Sequence, residues 1–523
     1  MGSYLNPGSK GFQESLNSEI YVDKTGLIEK TNAVLDTRQK FLCVSRPRRF
    51  GKSMAADMLA AYYERGEDAD LLFRSLKISK AESYRAHLNQ YDVIKVNIQE
   101  FLSMTGSMDE MLSMLKKYLV FDLMEHFDDV RFRDESNLIQ VMKDIYAKMK
   151  RAFVILIDEW DCLFREYQQD QDSQKKYLDF LRAWLKDKEY VALAYMTGIL
   201  PIKKYGTQSA MTDFREYTML APKKLAEYVG FTETEVQDLC TKYGMDFEEM
   251  KRWYDGYSFS RAESVYNPNS VIEAIKSEEI GNYWTQTETY ASLQFYIDMD
   301  EDGLKETIAQ MLGGAHIKID SGTFQNDMTT IRSRDDVLTL LVHLGYLAYD
   351  FSEKSVYIPN EEIREEFVRA VTVGKHTEIA KLLRDSEHLL EATLNMDEEA
   401  VATLIEEAHK ASVAPTFYNN EQALRSVIRV AYISCVDEFL RIEELPSGHG
   451  YADVVFIPKR TSLMPLMVIE LKWNKTDEGA IRQIKNHDYP QVMKDYGGEI
   501  LLVGINYDSK NKKHTCTMES YKK

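Results

Sequence analysis

Two sets of residues in this sequence have the types and spacing to work on phosphorus-bound oxygens. The first is the basic turn RPRRFGKS at 46–53, with the acid pair Asp158 and Glu159 further along. Loops of the pattern G-x-x-x-x-G-K-[ST] bind phosphate because backbone N–H groups at a helix N-terminus face the anion, the lysine reaches the β/γ oxygens, and the hydroxyl ligates magnesium. Gly51, Lys52 and Ser53 fit, with Arg46 where the first glycine belongs. Arg49 and Phe50 join them as candidate nucleotide-binding residues. An Asp ending a buried strand can hold the magnesium shell with Ser53, while an adjacent Glu orients the attacking water. Asp158 and Glu159 match those roles, against the plainer account of a solvated turn or helix cap. Thr197, ending the next apolar strand, is a candidate γ-phosphate sensor or simply a turn former. Arg46, Arg48 and Arg49 screen phosphate charge, meet a neighbour's nucleotide, or form a solvated basic loop; no arginine finger can be assigned.

The second set lies near the C-terminus. Alternation puts Leu466, Val468, Glu470 and Lys472 on one face of a strand, and Tyr451, Asp453, Val455 and Ile457 on one face of the strand before it. If the two strands pair, Asp453 and Glu470 converge. With the backbone carbonyl of Leu471 they make an oxygen-rich pocket suited to Mg2+ or Mn2+. Lys472 beside them can orient a hydroxide and stabilise charge on a scissile phosphate, which suits metal-assisted phosphodiester hydrolysis. Catalytic candidates are therefore Glu159, Asp453, Glu470 and Lys472, and metal-ligating candidates Ser53, Asp158, Asp453, Glu470 and Leu471. Glu421 is a weaker further acid, Glu443 and Glu444 read as solvated strand charges, and Gln483 and Tyr489 touch nucleic-acid backbone or merely pack. The competing account of Asp453, Glu470 and Lys472 is an exposed hairpin carrying a salt bridge.

The elements that must position these groups follow from the apolar pattern. Strands are expected at Phe41–Ser45, Asp92–Ile98, Phe153–Ile157 and Val191–Met196, alternating with helices; continuous apolar strands of this kind suit a parallel sheet covered on both faces. From about 220 to 410 the strand signal fades. Within that stretch a helix at Asp335–Leu344, a two-stranded wing at Gly345–Asp350 and Ser355–Ile358, and a helix at Glu361–Val368 resemble a winged-helix unit. Its Asp and Glu residues suit a phosphate-lined groove poorly, so a helical lid on the nucleotide domain is favoured over DNA contact. Further on come a helix at Asn420–Cys435, strands at Arg441–Leu445, Tyr451–Ile457 and Pro465–Trp473, a helix from Glu478 to about Asp488, and a closing strand at Glu499–Tyr507. The expected class is α/β in three parts: 1–220 with the phosphate loop, 221–410 as helical lid, and 411–523 as a small α/β domain.

Composition bounds the rest. The 523 residues are 44% hydrophobic and 28% charged, which excludes disorder and collagen-like repeats. The five cysteines are isolated, so neither a disulfide framework nor a zinc site is expected. A net charge of −19 argues against nonspecific coating of nucleic acid or anionic membrane. No leader and no membrane-length apolar run is seen, which suggests a cytoplasmic protein.

The residues YVDKTGLIEK (21–30), SRPRRFGKS (45–53), ILIDEWD (155–161), MTGI (196–199), WYDGYSF (253–259) and VYNPNSV (265–271) together resemble the AAA-ATPase-like family with a C-terminal PD-(D/E)XK nuclease domain. RPRRFGK-like loops are typical of that family, so Arg46 is no oddity. The resemblance implies ATP bound by Lys52 and Ser53, magnesium handled by Asp158 and Glu159, and the nuclease pattern on Asp453, Glu470 and Lys472, with Ala452 replacing the proline of the family name. It implies a nucleic-acid partner, DNA before RNA, and two intact site patterns in one chain suggest a role in phage defence or mobile-element biology. Homo-oligomerisation stays open. The alternative is an ATP-dependent switch or assembly protein whose nuclease-like domain only binds nucleic acid or a partner.

Overall fold

The computed structural model describes residues 2–66, 68–202, 211, 213–259, 262–284, 290–299, 303–324, 331, 333–373, 377–412, 421–435, 439–447, 450–458, 464–486 and 498–521. The chain forms two compact units, Met1–Thr289 with Lys318–Glu365, and Tyr290–Ile317 with Glu366–Lys523. The boundaries expected at 220 and 410 fall inside the first and second unit respectively.

The first unit is built on five strands: β1 (Phe41–Ser45), β2 (Asp92–Asn97), β3 (Phe153–Asp158), β4 (Val191–Gly198) and β5 (Arg215–Tyr217). Their order is β2-β3-β4-β1-β5, and every pair is parallel. β1, β3 and β4 are buried along their whole length. This is why they read as unbroken apolar runs: both faces of the sheet are covered and no polar alternation is required. With β4 between β1 and β3, Val44 pairs with Thr197 and Ile157 with Met196. The strand that ends in the phosphate-loop turn and the strand that ends in the acids therefore finish on the same edge of the sheet. Ligands of open α/β sheets bind at this carboxyl edge.

The winged-helix order is present. Ser333 caps the helix Arg334–Leu344 through the Asp336 N–H at 3.2 Å, Gly345 ends it at φ +89, and the strands Ala348–Asp350 and Ser355–Tyr357 pair antiparallel. Besides the wing, residues 221–410 carry strands that the sequence did not mark: Phe231–Thr232, Tyr257–Phe259 and Ala262–Tyr266 form a three-stranded antiparallel sheet. Strands of two to five residues are too short to show an alternation.

The second unit carries strands β6 (Phe439–Ser447), β7 (Gly450–Pro458), β8 (Leu466–Trp473), β9 (Ile500–Asp508) and β10 (Lys513–Tyr521), in that spatial order. β8 and β9 are parallel, linked through the helix Asp477–Asn486, and the other pairs are antiparallel. β10 corrects the expectation that Tyr507 closes the set. Its inward positions are His514, Cys516 and Met518, which make only a weak apolar alternation. On one face Met467, Ile469 and Leu471 pack with Leu424, Val427 and Ile428 of the helix Glu421–Ala431. On the other, Val455, Leu466 and Val468 pack with Ile481.

Candidate nucleotide and cation sites

The turn after β1 passes through two left-handed residues, Arg49 at φ +63 and Gly51 at φ +86. Gly51 stands at the N-cap of the helix Lys52–Tyr63 and offers no capping side chain, so first-turn N–H groups are left for an outside acceptor. A Cβ on Gly51 would meet nothing within 4 Å. The glycine is required by its backbone conformation, and the space before the helix end can take an anion. Lys52 is buried and donates to the Pro47 carbonyl at 2.9 Å, closing the loop on itself. Burial lowers its pKa, and the carboxylates of Glu159, Asp161 and Asp158 act in the opposite direction. Ser53 is exposed on the same turn.

Asp158, at the end of β3, is 3% exposed and accepts hydrogen bonds from the Thr197 hydroxyl and, at 3.0 Å, from the Glu159 N–H. The Thr197 side chain thus supports Asp158. Glu159 adopts a left-handed backbone at φ +51, and its carboxylate accepts from Arg165 of the short helix Cys162–Glu166. Burial raises the Glu159 pKa, while Lys52 and Arg165 hold it down. Asp161 is fully buried and accepts from the Ile199 and Leu200 N–H groups at 3.0 and 2.7 Å, fixing the end of β4 beside β3. Gly198 makes that approach feasible, since a Cβ there would lie 2.5 Å from Asp161 Oδ1 and 2.7 Å from Trp160. Asp161 and Arg165 were not singled out from the sequence. The spacing D-E-x-D held the signal for Asp161, because one more turn beyond the strand returns the chain to the same edge.

Arg46 does not belong to a solvated loop. It is fully buried, donates to the Ser45 and Tyr217 carbonyls at 2.9 and 3.2 Å, and lies 5.1 Å over the Phe259 ring. Burial lowers its pKa to about 10. Its own N–H bonds the Gly198 carbonyl at 3.0 Å, so the residue prolongs β1 where a glycine would begin the turn. Arg48 and Arg49 are exposed. Phe50 is buried edge-on to Tyr257, whose hydroxyl donates to the Gly345 carbonyl at 2.5 Å. Phe50 and Gly51 line a mainly apolar cleft with Ile20, Tyr228 and Phe231.

In the second unit the β7–β8 ladder runs from Phe456 and Met467 to Val454 and Ile469. There the Asp453 side chain takes over: its Oδ2 accepts the Leu471 N–H at 2.8 Å. The Leu471 N–H thus ties β8 to Asp453. Asp453, Glu470 and Lys472 are 9%, 2% and 6% exposed, which removes the exposed-hairpin account. Lys472 Nζ donates to Glu470 Oε1 at 2.9 Å, and Arg425 from the helix Glu421–Ala431 donates to Asp453 Oδ1 at 2.5 Å. Burial and the neighbouring Asp453 charge push the Glu470 pKa up to about 7. Among the described residues no group of three or more His, Cys, Asp or Glu side chains is placed to hold a metal ion. The pair alone still fits one. Asp453 raises the cost of ionising Glu470, and two such neighbouring buried carboxylates form a donor set that a divalent cation relieves. Sequence alone pointed on this helix to the acid Glu421 and did not mark Arg425. The Glu421 and Gln483 side chains, with those of Glu443 and Glu444, and Tyr489 lie outside the described residues.

The fold is that of a P-loop-type α/β domain followed by a nuclease-like α/β domain. Residues 8–207 match the family described as "Predicted AAA-ATPase" and residues 419–516 the PD-(D/E)XK nuclease superfamily. The chain thus combines an N-terminal AAA-ATPase-like match with a C-terminal PD-(D/E)XK nuclease-superfamily match. It is 24% identical over 512 residues to an "Uncharacterized protein in vnfD 5'region" of Azotobacter chroococcum mcd 1, covering 93% of this chain and 92% of that one. Among solved structures, the ORC2 protein of Aeropyrum pernix aligns with 8% identity and a TM-score of 0.27, over 69% of this chain and 97% of that one. Cdc6p of Pyrobaculum aerophilum aligns with 7% identity and a TM-score of 0.24, over 70% and 98%. No helix among the described residues is long and apolar enough to cross a membrane.

Proposed function

We propose that the protein binds and hydrolyses ATP in its first unit and that this controls a metal-dependent phosphodiesterase in its second, acting on nucleic acid, DNA before RNA. The observation that carries the reading is the buried Asp453, Glu470 and Lys472 group, joined in one chain to a phosphate loop with Asp158 and Glu159 at the same sheet edge. A divalent cation, when bound, supplies Lewis-acid charge stabilisation at phosphorus-bound oxygens in either site. The chain's own residues do the rest. First-turn N–H groups at Gly51 to Ser53 and the Lys52 ammonium hold the phosphates. Ser53 and Asp158 are assigned to the cation, Glu159 orients water, and the apolar cleft beside Phe50 receives the base. Thr197 acts through Asp158.

The wing gives a route from nucleotide to lid. Gly345, at the end of its first helix, packs so closely on the loop that a Cβ would fall 2.6 Å from Pro47 Cγ, and Pro47 is the residue whose carbonyl holds Lys52. A phosphate that draws Lys52 off Pro47 therefore releases a contact of the lid. At the second site, Asp453, Glu470 and the Leu471 carbonyl are assigned to a Mg2+ or Mn2+ ion, with Lys472 facing the scissile phosphate. Phage defence or mobile-element biology is the proposed setting, resting on the two site patterns in one chain. A supercoiled plasmid incubated with Mg2+ and ATP should be cut by the wild type and left intact by Glu470→Ala; cutting that survives in the variant removes the assignment. One observation favours the second reading, an ATP-driven assembly switch that grips nucleic acid without cleaving it: Asp453 is already ion-paired with Arg425. That reading predicts a nucleotide-dependent change of oligomer size with the plasmid intact.

A further inference from the structure

The carboxylates of the second site are already neutralised by side chains. Arg425 lies 2.5 Å from Asp453 Oδ1 and Lys472 lies 2.9 Å from Glu470 Oε1, so two cations balance two anions. The two cations differ in their freedom. Lys472 is on the same strand as Glu470 and its side chain is 8% exposed. The Arg425 side chain is 19% exposed and comes from a helix whose Leu424, Val427 and Ile428 are locked in the core. Its guanidinium can leave Asp453 only by rotating about its own side-chain bonds, which needs no movement of the helix. A divalent ion at Asp453 and Glu470 with Arg425 in place would crowd a third and fourth positive charge onto two negative ones, and like charges at contact distance repel. Arg425 therefore has to give way. A guanidinium prefers a planar two-oxygen partner, and a phosphodiester offers one as well as a carboxylate does.

From this juxtaposition we propose that Arg425 gates the cation site: it occupies Asp453 until a nucleic-acid phosphate takes the guanidinium, so phosphodiester and divalent cation bind cooperatively. The inference rests on the proposed cation site at Asp453 and Glu470. It makes Arg425 a positioning residue that acts through Asp453.

The test is a calorimetric titration of the full chain, without nucleotide, with Ca2+ alone and with Ca2+ in the presence of a short DNA duplex. In the wild type, DNA should tighten Ca2+ binding by about 5- to 150-fold, the usual span of coupling between two sites. Arg425→Gln should bind Ca2+ about tenfold more tightly than wild type without DNA and lose the DNA-induced gain. Arg425→Lys keeps the blocking charge without the planar fork, and should stay weak for Ca2+ with a reduced DNA effect. Unfolding midpoints of both variants near the wild-type value establish that they fold. If Arg425→Gln binds Ca2+ no more tightly than wild type, or keeps the full DNA effect, the gate is overturned. If wild type, Asp453→Asn and Glu470→Gln all bind Ca2+ alike, the cation site itself is absent and the gate falls with it.

Discussion

The two sites hold their acids by different mixes of support: Glu159 in the first accepts from Arg165 and Asp453 in the second accepts from the Leu471 N–H, yet the balance differs. In the first unit the carboxylates are supported largely by hydrogen-bond donors that belong to the sheet edge: Asp158 by Thr197 and the Glu159 N–H, Asp161 by the N–H groups of Ile199 and Leu200. In the second unit the acids stand on neighbouring strands and are held by the side-chain cations Arg425 and Lys472. Support by fixed backbone dipoles costs little reorganisation when a ligand arrives. Support by ion pairs must be exchanged, which makes the second site conditional. The nucleotide site is thus built to be filled, and the other to be opened.

The largest effects should separate the two units. Lys52→Ala should lower ATP affinity by at least about 100-fold, measured with a fluorescent ATP analogue, while Ca2+ binding at Asp453 and Glu470 stays unchanged. Glu470→Gln should do the reverse: plasmid cleavage falls to background and ATP hydrolysis persists. Loss of ATP hydrolysis in Glu470→Gln would break the comparison, because the proposed control runs from the nucleotide to the second site and not back.

A smaller effect is expected at the join between loop and lid. Gly345→Ala places a Cβ 2.6 Å from Pro47 at a residue with φ +89. Strain of this kind costs on the order of 1–3 kcal/mol, readable as a lowered unfolding midpoint. Because Pro47 holds Lys52, ATP affinity should weaken as well, by roughly tenfold for about 1.4 kcal/mol. Gly303→Ala, also at positive φ but with open space around it, serves as a control for the backbone cost alone.

How far the sequence disclosed these differences depended on how local each signal was. The sheet edge was legible, because FLCVS running into RPRRFGKS and FVILID running into Glu159 each carry strand and site in one short stretch. The placing of Asp453 opposite Glu470 was legible too, since strand alternation fixes which side chains share a face. Arg425 was not, because its role depends on how a helix docks beside a strand 28 residues later, and nothing local in EQALRSVIRVA marks the arginine as inward-reaching. The buried fate of Arg46 was hidden for a similar reason: three arginines within four residues look solvated until Tyr217 and Phe259 are brought over the first of them. β10 was missed because His514, Cys516 and Met518 are weak as an apolar set.

Next in size is the release of Glu159. Its carboxylate is useful for orienting water only when ionised, burial pushes its pKa up, and Arg165 is one of two cations that hold it down. Arg165→Gln should therefore move the acidic limb of the ATP-hydrolysis profile to higher pH. At pH 7 the rate should fall by less than about tenfold, with the KM for ATP little changed. A fall in rate that is the same at every pH would instead mark Arg165 as structural. The matching variant in the other unit, Arg425→Gln, tightens cation binding, so the pair of substitutions compares an ion pair that keeps an acid ionised with one that blocks a cation.

The smallest effect concerns the metal-free protein and pH. Glu470 titrates at about 7 in the fold against an ordinary glutamate value of 4.5, so between these values the folded chain holds a proton that the unfolded chain has released. Stability must then fall as pH rises through that window and level off above about 7, since the unfolded state binds fewer protons there. Each tenfold difference in proton affinity is worth about 1.4 kcal/mol, which bounds this contribution at roughly 3 kcal/mol. Glu470→Gln, which cannot ionise, lacks the slope. Denaturant melts at pH 5 and pH 8 without metal should show the variant gaining on the wild type by about 1–3 kcal/mol between the two. Saturating Ca2+ at pH 8 should cancel that gain for the wild type, because the ion binds the ionised pair in the folded state alone. A wild-type stability that is flat from pH 5 to pH 8 would mean that Lys472 offsets burial and the Asp453 charge, leaving Glu470 an ordinary carboxyl group.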